Sequence, residues 1–347
     1  MFSDHSFLKT SLSVGAFLLI IVGIYTDFLR VIPRSLDKLA KIHSASISEQ
    51  TSVQSSEFEA GGAYISFENS FETTMAPAVL APPSPTLPVR DWTIPLPELT
   101  AESVYVLDGQ NNVVLLAKNE NEKRPIASLS KIMTAYVAAK HIPMASNIKI
   151  TKTAVDTEGV AGDLIENEEL KFEDVLYALL LPSSNDAAEA LAEVLGREKF
   201  IDLMNEEARA FGDNETIFKN PSGLDNLEHY STAKNIVKLF SYISQIEPIK
   251  TIISKSSHET RSTDGKFYHR FVTSNWLLGS YRGVIGGKTG FTDEAGQSLI
   301  VKWQPPVSLA VERKDSLPVI YAVVLGSEDR FGDMRAILDW LQKAYHW

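Results

Sequence analysis

PIASLSKIMTAYVAAK, residues 125–140, opens with a proline and continues with residues that suit a helix. Proline is tolerated at a helix entry, where its missing N–H would have lacked a partner anyway. The spacing predicts a helix over 127–140. Residues three apart share a helix face, so the Ser128 hydroxyl and the Lys131 amine can touch. Ser128 would lie near the positive end of the helix dipole. A serine hydroxyl is a weak nucleophile until a base takes its proton. Lysine is that base only where burial or a neighbouring cation lowers its pKa. A Ser-x-x-Lys tetrapeptide alone carries little weight, because the spacing arises by chance in many chains.

Outward from this stretch, the pattern alternates between strands and helices. Upstream, SVYVLD (103–108) and VVLLAK (113–118) read as strands joined by a turn at 109–112. Downstream, helical patterns cover 172–181, 185–195, 197–211 and 232–246, and late strands fit 297–303 and 318–326. The chain closes on an amphipathic helix in which Met334, Ile337, Leu338 and Leu341 form one apolar face. Strands thus bracket a helical middle. That order predicts an α+β domain, with an antiparallel sheet lying between helical layers.

Two further elements bear polar residues in telling places. Ser183-Ser184-Asn185 follows the apolar run LYALLLP at a junction between two helices. These side chains either cap the second helix or point into a cleft. Lys288-Thr289-Gly290 lies within GVIGGKTGFTDEAGQSLIV (283–301). Its Gly-Lys-Thr resembles a phosphate-binding loop, but only three residues separate Gly283 from Gly287, where that motif needs four. A glycine-rich strand instead lets a substrate backbone lie alongside, with Lys288 offering charge to a carboxylate.

Taken together, Ser-x-x-Lys, Ser-x-Asn and Lys-Thr-Gly form the motif set of penicillin-binding proteins and serine β-lactamases. The flanking stretches PIASLSKIMTAY, LLLPSSNDAAEAL, NPSGLDN, HYSTA and GVIGGKTGFTDEAG closely resemble the D-alanyl-D-alanine carboxypeptidase family of low-molecular-weight penicillin-binding proteins. The resemblance runs from about residue 101 to the C-terminus. It implies the penicillin-binding/serine β-lactamase-like transpeptidase fold. It also implies peptidoglycan stem peptides as substrate, β-lactam antibiotics as acylating inhibitors, and no metal or organic cofactor. By the same resemblance, Ser128 is the acylated nucleophile, Lys131 its general base, and Ser183 the proton shuttle to the leaving D-alanine. Asn185 holds the substrate peptide and Lys131. Lys288, Thr289 and Gly290 line the substrate, the first two binding its terminal carboxylate, and Lys288 also keeps the Lys131 pKa low. The backbone N–H groups of Ser128 and Phe291 form the oxyanion hole. No histidine takes part, and His229 is expected to play a supporting role.

The chain departs from the family in places. Ser184 stands where many members have glycine. Members often carry a C-terminal amphipathic anchor, whereas this chain ends on the helix of the domain itself. The connection from Trp303 to Pro318, which contains Pro305 and Pro306, is longer than two strands need. Three alternatives share the motifs: a DD-endopeptidase, a β-lactamase and a non-catalytic penicillin-binding scaffold. Class A β-lactamases need a glutamate and an asparagine four residues apart. Here Glu215 has Lys219 at that position, and asparagine falls at 220.

Composition and the N-terminus complete the reading. There is no cysteine among the 347 residues, which excludes disulfides, thiolate nucleophiles and cysteine-held zinc. A formal net charge of −11 argues against nucleic acid as a partner. Thr10 to Thr26 is uncharged and, at 1.5 Å per residue, covers roughly 26 Å, slightly short of a bilayer core. The region at its end, Ile24 to Phe28, makes a poor signal-peptidase site, so the segment is expected to be an uncleaved anchor. Arg30, Arg34, Lys38 and Lys41 follow it and by the positive-inside rule belong in the cytoplasm, whereas the resemblance requires the domain outside. Seven of the 16 prolines crowd into residues 77–97, a spacer in which neither helix nor sheet is expected. The expected organisation is therefore an anchor and its flanks over 1–41, a Ser/Pro-rich linker over 42–99, and a catalytic domain over 100–347 at the extracytoplasmic face of the cell membrane.

Overall fold

A computed structural model describes residues 87–159, 162–306 and 318–347. The expected anchor, most of the linker, and the middle of the Trp303–Pro318 connection lie outside the described residues. Among those described, no helix is long and apolar enough to cross a membrane.

The centre is a five-stranded antiparallel sheet. Its strands are β2 (Ser103–Asp108), β3 (Val113–Lys118), β8 (Val284–Thr292), β9 (Gly296–Trp303) and β10 (Ile320–Ser327), in the order β3-β2-β10-β9-β8. Alternation along the strands decides which face each residue covers. Val104, Val106, Leu299, Val301, Ile320, Ala322 and Val324 are packed with Met334, Ile337, Leu338 and Leu341 of the final helix, Arg330–Ala344. Tyr105, Ile300, Tyr321, Val323 and Leu325 point the other way, into the core of the helical region. Both faces are therefore covered, and the sheet lies between helical layers as the sequence predicts. Each of the four helix residues is fully buried, which favours the fold by about 1.5–3 kcal/mol apiece relative to exposure.

The helical region contains α1 (Lys131–His141), α2 (Lys152–Val155), α3 (Phe172–Leu180), α4 (Asn185–Leu195), α5 (Arg197–Ala210), α6 (Ala233–Ile243) and α7 (Ile249–Ile253); the final helix is α8. Two short antiparallel pairs were not legible in the sequence: β4 (Asn147–Lys149) with β5 (Glu169–Lys171), and β6 (Ser257–Arg261) with β7 (Tyr268–Val272). The first pair has three residues per strand and the second is largely polar, so neither gives a clear hydrophobic alternation.

The end of the expected linker differs from the proline-based reading. Val89–Arg90 forms a strand, β1, paired with β11 (Tyr345–His346), and Ile94 and Leu99 pack against the α8 side of the core. The prolines of this stretch fall outside the two-residue strand, so its backbone donors stay free to pair.

Candidate active site

The helix expected from residue 127 begins as a 3₁₀ turn, Ala127–Ser130, and becomes α-helical only at Lys131. With three residues per turn, positions i and i+3 eclipse. Ser128 therefore stands over Lys131, and Lys131 Nζ lies 2.9 Å from Ser128 Oγ. The same nitrogen donates to Asn185 Oδ1 at 2.6 Å and to the Ser222 carbonyl at 2.6 Å. Three acceptors surround one tetrahedral nitrogen. In the neutral amine two N–H bonds satisfy Asn185 and Ser222, and the lone pair is left for the Ser128 proton.

Lys131 is fully buried. Burial lowers its pKa to about 7, while the charges of Glu189 and Asp186 pull it back up. The resemblance had assigned part of this lowering to Lys288. The structure puts burial first, and the repulsion between the two ammonium groups instead falls on Lys288. Burial, then the Lys131 charge, then that of Arg330 hold Lys288 well below the ordinary lysine value. Asp186, at the start of α4, is pushed up to about 6 by burial.

The Ser183-Ser184-Asn185 junction divides its two readings among its residues. Ser184 is the cap of α4, accepting from the Ala187 N–H at 3.0 Å. Its neighbours are thereby released for other work. Ser183 adopts φ +74 and meets Lys288 Nζ at 2.6 Å; Asn185 also donates to the Glu158 carbonyl at 2.6 Å. A left-handed serine outside a glycine position costs energy of order 1–3 kcal/mol, and such strain concentrates at functional sites.

On the sheet side, β8 is an edge strand carrying Lys288, Thr289, Gly290 and Phe291. Lys288 is buried and Thr289 Oγ1 lies 2.5 Å from Ser274 Oγ. Gly290 abuts the Ala127–Ser130 turn: a Cβ there would sit 3.2 Å from Ile126 O and from Ser128 N. Phe291, one residue on, is 58% exposed.

The opposite flank of the turn is held by the segment around Asn220, whose side chain accepts from Gly223 N and Ser222 Oγ and donates to Leu224 O. This loop presents the Ser222 carbonyl to Lys131. Gly223 has φ +84, and a Cβ on it would meet Ala127 O at 1.9 Å. Gly223→Ala is therefore expected to displace the Ala127–Ser130 turn. The melting temperature should fall by roughly 5 °C or more, with slower penicillin acylation; thermal unfolding and single-turnover labelling check this.

His229 is a support, as expected. It lies 2.7 Å from Ser130 Oγ, and its Nδ1 accepts from Lys219 N at 3.4 Å, so the proton sits on Nε2. Ser130 Oγ in turn donates to Ala127 O. Burial, with the charge of Lys131, lowers His229 to about 4 and keeps it neutral. Glu215 lies on the exposed surface 3.5 Å from Asn235 Nδ2, while Asn220 is spent on its own loop. The glutamate–asparagine pair of a class A β-lactamase is thus not assembled from these residues.

Of the motif residues, Ser128, Lys131 and Asn185 are joined by hydrogen bonds, Ser183 meets Lys288, and Gly290 of the same strand abuts the Ser128 N–H. Ser222, Ser274 and Arg330 were missed. Arg330 donates from Nη1 to the Gly290 carbonyl at 2.8 Å, and its Nε is buried with no partner among the described residues. Ser222 acts through its backbone, which no side-chain motif reveals. Arg330 lies on α8, 40 residues beyond Gly290, and only the sheet brings it back.

Comparison with known proteins agrees with this geometry. The family model described as D-alanyl-D-alanine carboxypeptidase matches residues 91–324. The chain is 30% identical over 256 residues to D-alanyl-D-alanine carboxypeptidase DacF of Bacillus subtilis, covering 71% of this chain and 63% of that one. It is 28% identical over 261 residues to a D-alanyl-D-alanine endopeptidase of Escherichia coli, covering 71% and 78%. Among solved structures, the Streptomyces K15 DD-transpeptidase superposes with a TM-score of 0.65 at 25% identity, covering 71% of this chain and 98% of that one.

Proposed function

The chain belongs to the D-alanyl-D-alanine carboxypeptidase family, and from that premise we propose that it is a serine-type D-Ala-D-Ala carboxypeptidase acting on peptidoglycan stem peptides. The carrying observation is the buried Lys131 amine, with a pKa near 7, in contact with Ser128, Asn185 and the Ser222 carbonyl. Neutral Lys131 accepts the Ser128 proton as Oγ attacks the carbonyl of the penultimate D-alanine. The backbone N–H groups of Ser128 and Phe291 receive the oxyanion, a donor pair worth about 3–4 kcal/mol each. The C–N bond then breaks. Ser183 passes a proton to the departing amine, and Lys131 readies a water to hydrolyse the acyl-enzyme.

The substrate carboxylate belongs beside Lys288, Thr289 and Ser274. Burial and the neighbouring cations discourage Lys288 from carrying charge; a bound carboxylate reverses that balance by pairing with the ammonium. Arg330 adds a fixed positive charge next to Gly290 and braces the strand. Arg330→Ala is expected to lower kcat/KM for D-alanine release by roughly 10–100-fold, because the substrate carboxylate loses a nearby positive charge as well as the brace on Gly290. A peptide with an amidated C-terminus should lose much less, and comparing the two substrates checks the assignment.

The same crevice suits an endopeptidase, and the similarity to the E. coli endopeptidase favours keeping that reading second. D-alanine release from a defined pentapeptide, against cleavage of a cross-linked dimer, separates the two. Faster turnover of the pentapeptide supports the carboxypeptidase, and the reverse result replaces it. We also place the domain outside the cell membrane, tethered by the uncharged segment Thr10 to Thr26. Protease accessibility of the domain in intact spheroplasts, with recovery of the full-length chain in the membrane fraction, tests this placement.

A further inference from the structure

Residues 87–96 carry a run of apolar side chains that the fold leaves uncovered. Leu87, Val89, Trp92 and Leu96 are all exposed, four of the fifteen large apolar side chains exposed among the described residues. The charged side chains of this stretch are Arg90 and Asp91, and neighbours engage both. Asp91 Oδ1 accepts from the Thr93 N–H at 2.9 Å and from Thr93 Oγ1 at 2.7 Å. The Arg90 guanidinium lies 4.1 Å from the centre of the Trp92 ring and 5.2 Å from that of Trp340.

The segment is held in place, so this exposure is a property of the fold. Val89–Arg90 pairs with Tyr345–His346, and the Asp91 N–H donates to Ala344 O at 2.8 Å. Ile94 and Leu99 pack into the core beside α8. These contacts put Leu87, Val89 and Trp92 at the C-terminal end of α8, with Leu96 a few residues further on. The crevice lies at the other end, where Arg330, the first residue of α8, reaches the Gly290 carbonyl. At 1.5 Å per residue the 15 residues of α8 separate the two ends by roughly 20 Å. A second exposed tryptophan, Trp276, marks the crevice end, since it stacks on Phe331 at 5.1 Å.

The chain itself indicates what covers the apolar face. The uncharged segment Thr10 to Thr26 precedes it, and residues 27–86 reach at most about 200 Å when fully extended. A tether of that reach keeps the root of the domain close to a bilayer without pressing it there. Pro88 and Pro95 remove backbone donors from the stretch, which makes it a poor template for a strand from another chain. Tryptophan, aliphatic side chains and an arginine together match the boundary between lipid headgroups and acyl chains.

Resting on the membrane placement given above, we propose that this face lies on the lipid surface, with Leu87, Val89, Trp92 and Leu96 at the headgroup–acyl boundary. The crevice end of α8 is then turned away from the bilayer.

The test uses the full chain in vesicles of phosphatidylethanolamine and phosphatidylglycerol, with plain or brominated acyl chains. Bromine quenches only tryptophans that reach the lipid. All five tryptophans lie beyond residue 86, so the anchor adds nothing to the signal. Bromination should lower the emission, and Trp92→Phe should remove most of that loss. Trp276→Phe should leave it intact, although Trp276 is 71% exposed against 78% for Trp92. The double substitution Leu87→Ser with Leu96→Ser should weaken the quenching while penicillin labelling stays unchanged, which shows that the domain remains folded. Quenching that survives Trp92→Phe, or that disappears with Trp276→Phe, overturns the docking face and leaves the anchor standing. Shielding of Trp92 from acrylamide in lipid-free detergent solution, rising with protein concentration, would mean that a second copy covers the face and also overturns it. A full chain that stays out of the vesicle fraction overturns the anchor and the docking face together.

Discussion

Ser128→Ala is expected to abolish covalent labelling by penicillin and to lower D-alanine release by on the order of 10⁴–10⁶-fold, the scale seen when a serine nucleophile is removed from an otherwise intact site. The loss follows from the arrangement around Lys131. Asn185 and the Ser222 carbonyl take its two N–H bonds and leave one direction for a lone pair, which Ser128 Oγ occupies. Asn185 has no hydroxyl and accepts an N–H from Lys131, while the Thr289 hydroxyl pairs with Ser274. Ser183 is engaged by Lys288 instead. Alanine at 128 removes one polar contact at a partly exposed position, so the fold should persist. An unchanged melting temperature beside the lost labelling separates chemistry from unfolding. Labelling that survives in this variant would mean that the acylated residue is another one.

Acylation is expected to rise with pH and to level off above about 7. The sign follows from which form of Lys131 reacts. Burial lowers its pKa to about 7, so below that value the ammonium dominates and no lone pair is available. The rate should therefore fall about tenfold for each further unit of acid. An ordinary lysine would instead put this limb near pH 10. Lys131→Met retains the bulk of the side chain without the base and should reduce acylation by about 10²–10⁴-fold, with the low-pH limb gone. It leaves Asn185 Oδ1 and the Ser222 carbonyl short of a donor, at about 1–3 kcal/mol each. A stable but inactive variant with a flat profile is the expected outcome, measured by single-turnover penicillin acylation across pH 5–9. A limb near pH 10 in the wild type would show that Lys131 stays charged and that another group takes the proton.

Much of this architecture was legible because local periodicity and tertiary burial agree. SVYVLD and VVLLAK are short apolar runs on either side of a turn and become β2 and β3 with the expected bounds. The stripe Met334, Ile337, Leu338, Leu341 faces the sheet because a 3.6-residue repeat leaves it no other way to bury. The three motifs were legible as a set, since spacing along a helix already brings Ser128 to Lys131. What the sequence withheld depends on the backbone or on distant returns. The positive φ of Ser183 and the capping role of Ser184 are properties of one turn. The Ser222 carbonyl belongs to no side-chain pattern. Arg330 reaches Gly290 only because α8 lies back across the sheet. Val89–Arg90 pairs with Tyr345–His346, at the far end of the chain, a contact that a run of prolines hides.

The most direct measurement is the mass of the protein after incubation with benzylpenicillin, followed by mapping of the modified peptide. A single adduct of the mass of the drug, on the peptide containing Ser128, is the predicted result. No adduct, or an adduct on a peptide lacking Ser128, would contradict the assignment of this crevice as a serine peptidase site.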